Sequence, residues 1–221
     1  MKRKLQALLF DLDGTLIDTG NLHFDATVAA LSEFGKSIDR VTYDRDIHGN
    51  NNADIVAYFF PDDPPATRRA YVAHKETVFR DSLSDAMPLP GLIDVLVWAE
   101  ERGIRMGLVT NAPEENKNAM LEAMGLSGRF HPVILGDDLP LAKPHPLPFL
   151  TALDVLDISP DEAIGFDDSI HGIRAVAAAG MFAVGVETGI PCRELIQNGA
   201  DIVIKDYHAP ELAEIMSSRY L

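Results

Sequence analysis

The sequence predicts an α/β protein: a parallel sheet core wrapped by helices, with an all-helical domain inserted after the first strand. Three observations carry that expectation. Apolar runs of strand length recur along the chain, helical patterns alternate with them, and one segment near the N-terminus contains no such run.

Leu5 to Phe10 is the first run, nearly continuous in apolar residues, as a strand buried on both faces of a parallel sheet is. The basic start Met1-Lys2-Arg3-Lys4 imitates a secretory leader, but Asp11 and Asp13 end the apolar stretch too early for one. From Thr19 to Asp85 the pattern changes: Phe24, Val28, Leu31 and Phe34 recur at helical spacing and no buried-strand run appears. Met87-Pro88-Leu89-Pro90-Gly91 then stiffens and turns the chain, as a linker does. The expected division is therefore 1–18 and 86–221 for the sheet-bearing core and 19–85 for the helical domain. Five more strands are expected at Ile104 to Val109, Pro132 to Leu135, Ala163 to Phe166, Phe182 to Val186 and Asp201 to Ile204. Between them lie helical patterns. Leu92, Val95, Leu96 and Ala99 form one, and Pro113 opens another that Gly125 closes. An insert placed after the first strand is expected over that strand's carboxyl end, where open α/β sheets bind ligands.

The 221 residues carry 19 basic and 34 acidic side chains, a net charge of −15. A surface so acidic repels nucleic-acid phosphate and anionic lipid, so neither nucleic acid nor membrane is an expected partner. A small anion is not excluded, because a divalent cation, a lysine and backbone N–H groups reverse the field inside one pocket. Cys192 is the only cysteine, which rules out an intramolecular disulfide and makes a cytoplasmic protein the expectation. The longest uncharged apolar stretch, Ala175 to Val186, holds two glycines and falls far short of the ~20 residues that span a bilayer.

Asp11-Leu12-Asp13-Gly14-Thr15-Leu16 follows the first strand directly and sets two carboxylates one residue apart at the sheet's edge. Like charges so close raise each other's pKa unless a cation offsets them, so the pair invites a divalent metal or a shared proton. An Asp-Gly turn at a strand end is the plainer reading of that fragment alone. Three further pieces follow in order: Val109-Thr110-Asn111 at a strand end, Ala142-Lys143-Pro144-His145-Pro146, and Gly165-Phe166-Asp167-Asp168-Ser169 at another strand end. Singly these read as a turn, a surface lysine and a helix cap; together they supply the roles one site requires.

The extended run Asp11 to Thr19, with those three pieces in that order, resembles the signature of the haloacid dehalogenase-like superfamily of phosphotransferases. The resemblance covers essentially the whole chain. It implies a Rossmann-like sheet with an α-helical cap and a phosphoric monoester hydrolase that needs Mg²⁺. Asp11 would be the nucleophile that forms an aspartyl phosphate and Asp13 the acid/base. Thr110 and Asn111 would bind the transferring phosphate, and Lys143 would neutralise charge. Asp11, Asp13, Asp167 and Asp168 would hold the metal, Asp13 through its backbone carbonyl. The insert resembles the cap of the group containing beta-phosphoglucomutase and phosphoglycolate phosphatase, with a further likeness to broad-range sugar-phosphate phosphatases. His23-Phe24-Asp25-Ala26, Gly49-Asn50-Asn51-Asn52, Phe60-Pro61-Asp62-Asp63, Val109 to Asn116 and Ala142-Lys143-Pro144-His145-Pro146 carry that likeness.

Two departures narrow the reading. Mutases of the group place an arginine three residues after the cap glycine, to hold a second phosphate, whereas Gly49 here is followed by Asn50, Asn51 and Asn52. Halogen-removing relatives lack the second aspartate, which is present as Asp13. The expected substrate is thus a small sugar-phosphate-type phosphomonoester, with His23, Gly49, Asn50, Asn52 and Asn111 touching it, in a monomer or weak dimer. Phosphoryl transfer of the mutase kind, phosphoglycolate hydrolysis and a non-catalytic sugar-phosphate-binding protein remain alternatives. Lys75 reads as a solvated lysine rather than a substrate contact, and a histidine at a helix start, as His23 is, reads equally well as polar surface. Trp98 and the methionines read as core or interface packing.

Overall fold

The computed structural model describes residues 4–47, 50 and 52–219. Its six strands are β1 (Ala7–Phe10), β2 (Arg105–Thr110), β3 (Val133–Leu135), β4 (Ala163–Asp167), β5 (Phe182–Val186) and β6 (Ile202–Ile204). They form one parallel sheet in the order β3-β2-β1-β4-β5-β6, so the expected α/β architecture holds. All four residues of β1 and all five of β4 are buried. The sequence Ala-Leu-Leu-Phe has no β-branched residue, so β1 owes its state to its place between two strands rather than to propensity. Strand ends differ by a residue or two from the apolar runs. Leu5 is buried but lies outside the ladder, whereas Thr110 and Asp167, both polar, continue it at the carboxyl edge.

The chain divides into two compact units, 1–18 with 87–221 and 19–86. In the first, the sheet is accompanied by α5 (Leu92–Glu101), α6 (Glu114–Ala123), α7 (Leu147–Leu156), α8 (Ile170–Ala178), α9 (Cys192–Gln197) and α10 (Pro210–Glu214). In the second the described residues form α1 (Gly20–Glu33), α2 (Arg40–Asp46), α3 (Asn52–Phe59), α4 (Pro65–Asp81) and a short 3-10 turn, with no strand among them.

On one face of the sheet, Ala7, Leu9, Val109 and Ala183 pack with Phe149 and Leu153 of α7 and Val176 of α8. On the other, Phe10 and Phe166 stack at 4.7 Å and meet Phe130 and Tyr207. In the helical unit α1 packs along α4 and buries Ala26, Thr27, Ala30 and Leu31. Of the expected stripe, Leu31 is buried, Phe24 and Phe34 pack partly buried against the same cluster and Val28 is half-buried, while Ala26, Thr27 and Ala30 widen the buried face. Small residues at the contact let the helix axes approach, and Phe24 and Phe34 flank a cluster centred on Phe60 and Tyr71.

Met106, Met120, Met124, Met181 and Met216 are buried as expected, whereas Met87, where the chain re-enters the sheet unit, is 74% exposed and is not core. Trp98 is only half-buried, with the Arg102 guanidinium 4.6 Å from its ring centroid. No helix among the described residues is long and apolar enough to cross a membrane.

Candidate active site

Strand order places a switch point between β1 and β4, since the chain winds from β1 toward β2 and β3 and then returns to the other side of β1. Register pairs Phe10 with Phe166, and Asp11 N–H donates to Phe166 O at 2.9 Å. Asp11 and Asp167 therefore leave adjacent strands at the same level. Carboxylate oxygens of Asp11, Asp167 and Asp168 all lie within 4.8 Å of one another.

Lys143 enters this acidic group from the turn before α7. Its Nζ donates to Asp11 Oδ1 at 2.5 Å and to Asp167 Oδ2 at 2.8 Å, and the phenyl ring of Phe149 lies 5.4 Å away. The other oxygen of Asp167 accepts from Ser169 N–H at 2.9 Å and Ser169 Oγ at 2.8 Å. Ser169 Oγ in turn accepts from Gly172 N–H at 2.9 Å, so one serine caps α8 and orients Asp167. Gly172 is obligatory here: a Cβ on it would lie 1.8 Å from the Asp167 carboxylate.

Asp13 and Gly14 follow in the turn after β1. Gly14 has φ +70°, and a Cβ there would come within 2.1 Å of Asp168 Oδ2, so both conformation and contact demand glycine. Thr15 Oγ1 is 3.5 Å from Asp168 Oδ1. Thr110, at the end of β2, is buried and its Oγ1 accepts from Ala112 N–H at 3.0 Å. Asn111 is exposed, with its amide oxygen against Gly136.

The charges are poorly balanced without a further cation. Burial pushes the Asp11 carboxyl up to about 7 from an ordinary 3.8; Lys143 opposes that shift, while Asp167 and Asp13 add to it. Asp168 is also raised well above the carboxylate range, first by burial and then by Asp167, Asp11 and Asp13. Burial alone would depress Lys143, but Asp11 and Asp167 outweigh it and hold the ammonium form. Three carboxylates with no sulfur or imidazole among them form a donor set for a hard divalent cation, which would lower both raised pKa values.

The residues singled out in the helical unit have the following neighbours within that unit. His23 stacks on Phe79 with ring centroids 4.1 Å apart and planes at 2°. His23 is half-buried, with one ring face covered by Phe79. Asn50 donates its side-chain amide to Asp46 O at 2.8 Å and caps the end of α2. Asn52 opens α3; its Oδ1 accepts from Lys75 Nζ at 3.0 Å and its Nδ2 donates to Glu76 Oε1 at 2.9 Å. Lys75 is only 5% exposed and pairs with Glu76 at 2.6 Å, so the solvated reading is wrong. It is the neighbouring glutamate, buried at 7% exposure, that makes its burial tolerable. Gly49 lies outside the described residues.

Sequence reasoning placed Ser169 in the motif without its capping role and missed Gly172, Thr188 and Tyr207 around this site. Ser169 and Gly172 were within reach, since a serine three residues before a glycine at a strand-to-helix junction fits an N-cap. Thr188 and Tyr207 carry no local signal.

A doubly wound parallel sheet thus carries an acidic triad and one buried lysine at its switch point, where such sheets bind ligands. Residues 8–186 match the family described as haloacid dehalogenase-like hydrolase. The chain belongs to that family, and its enzyme class is phosphoric monoester hydrolase. It is 29% identical over 214 residues to a protein named beta-phosphoglucomutase from Bacillus subtilis, covering 91% of this chain and 89% of that one. It is 31% identical to phosphoglycolate phosphatase from Nitrosococcus oceani, covering 86% and 87%. Among solved structures it is similar to CbbY from Rhodobacter sphaeroides in complex with phosphate, with TM-score 0.82, 26% identity, and 92% and 95% coverage.

Proposed function

We propose that this protein is a Mg²⁺-dependent phosphatase of small sugar-phosphate-type monoesters, working through an aspartyl phosphate on Asp11. The observation that carries the reading is the convergence of Asp11, Asp167 and Asp168 around Lys143 at the carboxyl edge of β1 and β4.

Asp11, Asp168 and Asp167 would hold the Mg²⁺, together with the Asp13 backbone carbonyl. Its chemistry is to offset charge on the phosphoryl oxygens and on Asp11. Asp11 attacks phosphorus in line; the new Asp11–phosphorus bond forms as the bond to the ester oxygen breaks. The Asp13 side chain gives its proton to the leaving alkoxide, then takes one from a water that attacks the acyl phosphate. That second displacement frees inorganic phosphate and restores the Asp11 carboxylate. Thr110, Asn111 and Lys143 hold the phosphoryl oxygens through both steps.

Hydrolysis is favoured over transfer between sugar positions by the helical unit's own chemistry. A mutase must grip a bisphosphate, which calls for a free cationic contact to the distal phosphate. Asn50, Asn51 and Asn52 carry no charge, and the buried cation Lys75 is already matched by Glu76. His23, Gly49, Asn50 and Asn52 are assigned to substrate selection on the resemblance stated above.

The test is a product assay with beta-glucose 1-phosphate, a catalytic amount of the corresponding bisphosphate, and Mg²⁺. Free phosphate should accumulate without conversion to the 6-phosphate. Isomer formation outpacing phosphate release would replace this reading with the mutase one. A panel including phosphoglycolate and xylulose-(1,5)bisphosphate, the latter bound by a CbbY variant from Rhodobacter sphaeroides, then ranks substrates by kcat/KM.

A further inference from the structure

The turn that carries Asp13 is held by two hydroxyls from residues far along the chain. After β1, residues 11–17 fold back on themselves: Gly14 N–H donates to Ile17 O at 2.8 Å and Leu16 N–H to Leu12 O at 2.9 Å. Thr188, just beyond β5, donates Oγ1 to Gly14 O at 2.7 Å. Tyr207, beyond β6, donates its phenolic hydroxyl to Thr15 O at 3.0 Å.

Tyr207 is well built for that contact. It is 5% exposed, and its ring lies 6.2 Å from Phe10 and 5.7 Å from Phe166, the residues immediately before Asp11 and Asp167. Its own N–H donates to Pro90 O at 2.9 Å, which fixes its backbone to the segment re-entering the sheet unit. Burial, then Asp11, Asp168 and Asp167, push the phenol well above its ordinary pKa, so it stays a donor at neutral pH.

We propose that Tyr207 and Thr188 are positioning residues: their hydroxyls fix the Gly14 and Thr15 carbonyls and so hold Asp13 in register with Asp11 and Asp168. Leu89 N–H holds the far end of the turn by donating to Leu16 O at 2.8 Å, so the two hydroxyls act on its tip, where Gly14 contributes no side chain and its backbone lies directly against the Asp168 carboxylate. A short turn released by a fraction of an ångström would misalign the acid/base while leaving Asp11, which follows β1 directly and is tied to β4 by its N–H bond to Phe166 O, where it is. The kinetic part of this inference rests on the phosphatase reading; the structural part does not.

Tyr207→Phe keeps the ring and Thr188→Val keeps the shape, so each removes one hydroxyl with little else. Three quantities are measured on each variant: kcat and KM for Mg²⁺-dependent phosphate release, amide hydrogen exchange across residues 12–17, and thermal midpoint. We expect kcat to fall about tenfold, as loss of one hydrogen bond of typical net strength allows, with KM unchanged. Exchange should quicken in 12–17 and not in β4, with the midpoint nearly unmoved. Unchanged exchange in 12–17, unchanged kcat, or exchange quickened uniformly with a large drop in midpoint would each overturn the proposal. A wild-type protein that releases no phosphate would overturn the phosphatase reading instead, and exchange in 12–17 would still decide whether the hydroxyls hold the turn.

Discussion

Asp11 and Asp13 are two carboxylates one residue apart with different assigned work, and single substitutions separate them. Asp11→Asn should abolish turnover, since an amide cannot serve as this nucleophile, whereas Asp13→Asn should still bind phosphate while slowing both displacements. Steady-state rates and phosphate titration on the two variants check this division. Gly172→Ala should cost more than its size suggests, because the added methyl occupies the space of the Asp167 carboxylate. We expect at least a hundredfold loss of phosphate release, roughly the penalty of a 1 Å misplacement, with a destabilisation of about 1–3 kcal/mol measured by denaturant unfolding. Much of this site was legible in the sequence, because its chemistry is written in contiguous pieces at strand ends: Asp11 to Thr15, Thr110 with Asn111, and Asp167 to Ser169. Lys143 was legible through its neighbours. Thr188 and Tyr207 were not, since each reaches the turn by a hydrogen bond spanning 174 or 192 residues, and nothing in their local sequence marks it.

The strands were easier to place than the helical contacts, and the reason is burial. A parallel strand covered on both faces must be apolar throughout, so β1, β4 and β5 announce themselves as runs. An amphipathic helix announces only a face, and Ala26, Thr27 and Ala30, which α1 buries beside Leu31, have too little apolar bulk to mark it. Lys75 and Glu76 of α4 were misjudged for the same kind of reason: adjacent charged residues read as solvated, yet both are buried and cross-linked to Asn52 of α3. Removing one partner should then cost far more than a surface charge does. Glu76→Ala leaves the Lys75 ammonium buried with only Asn52, and should destabilise the helical unit by about 3–5 kcal/mol. Hydrogen exchange should show the loss in α3 and α4, with β1 and β4 protected as before. Replacing Lys75 and Glu76 together by Met and Gln should recover most of it.

For the molecule as a whole, the acidic triad links stability to pH and to metal. Between an unfolded value near 3.8 and a folded value of about 7, Asp11 retains a proton that the unfolded chain has released, and Asp168 shifts in the same direction. Unfolding free energy of the metal-free protein should therefore fall as pH rises through that window, and Mg²⁺ should stabilise more at pH 8 than at pH 5. Thermal unfolding in chelator and in Mg²⁺ at the two pH values checks both signs. Asp168→Asn should flatten the metal-free slope and lose the response to Mg²⁺, which separates the triad from the general repulsion of a chain carrying −15. All of this serves one claim, that phosphate passes through Asp11. The most direct measurement is mass spectrometry of acid-quenched enzyme during turnover, digested to the peptide containing Asp11 to Thr19. This peptide should carry one phosphoryl group on Asp11, the adduct should accumulate in Asp13→Asn, and Asp11→Asn should never show it. Wild-type turnover by Asp11→Asn, or steady turnover by the wild type with no adduct in either active form, would contradict it.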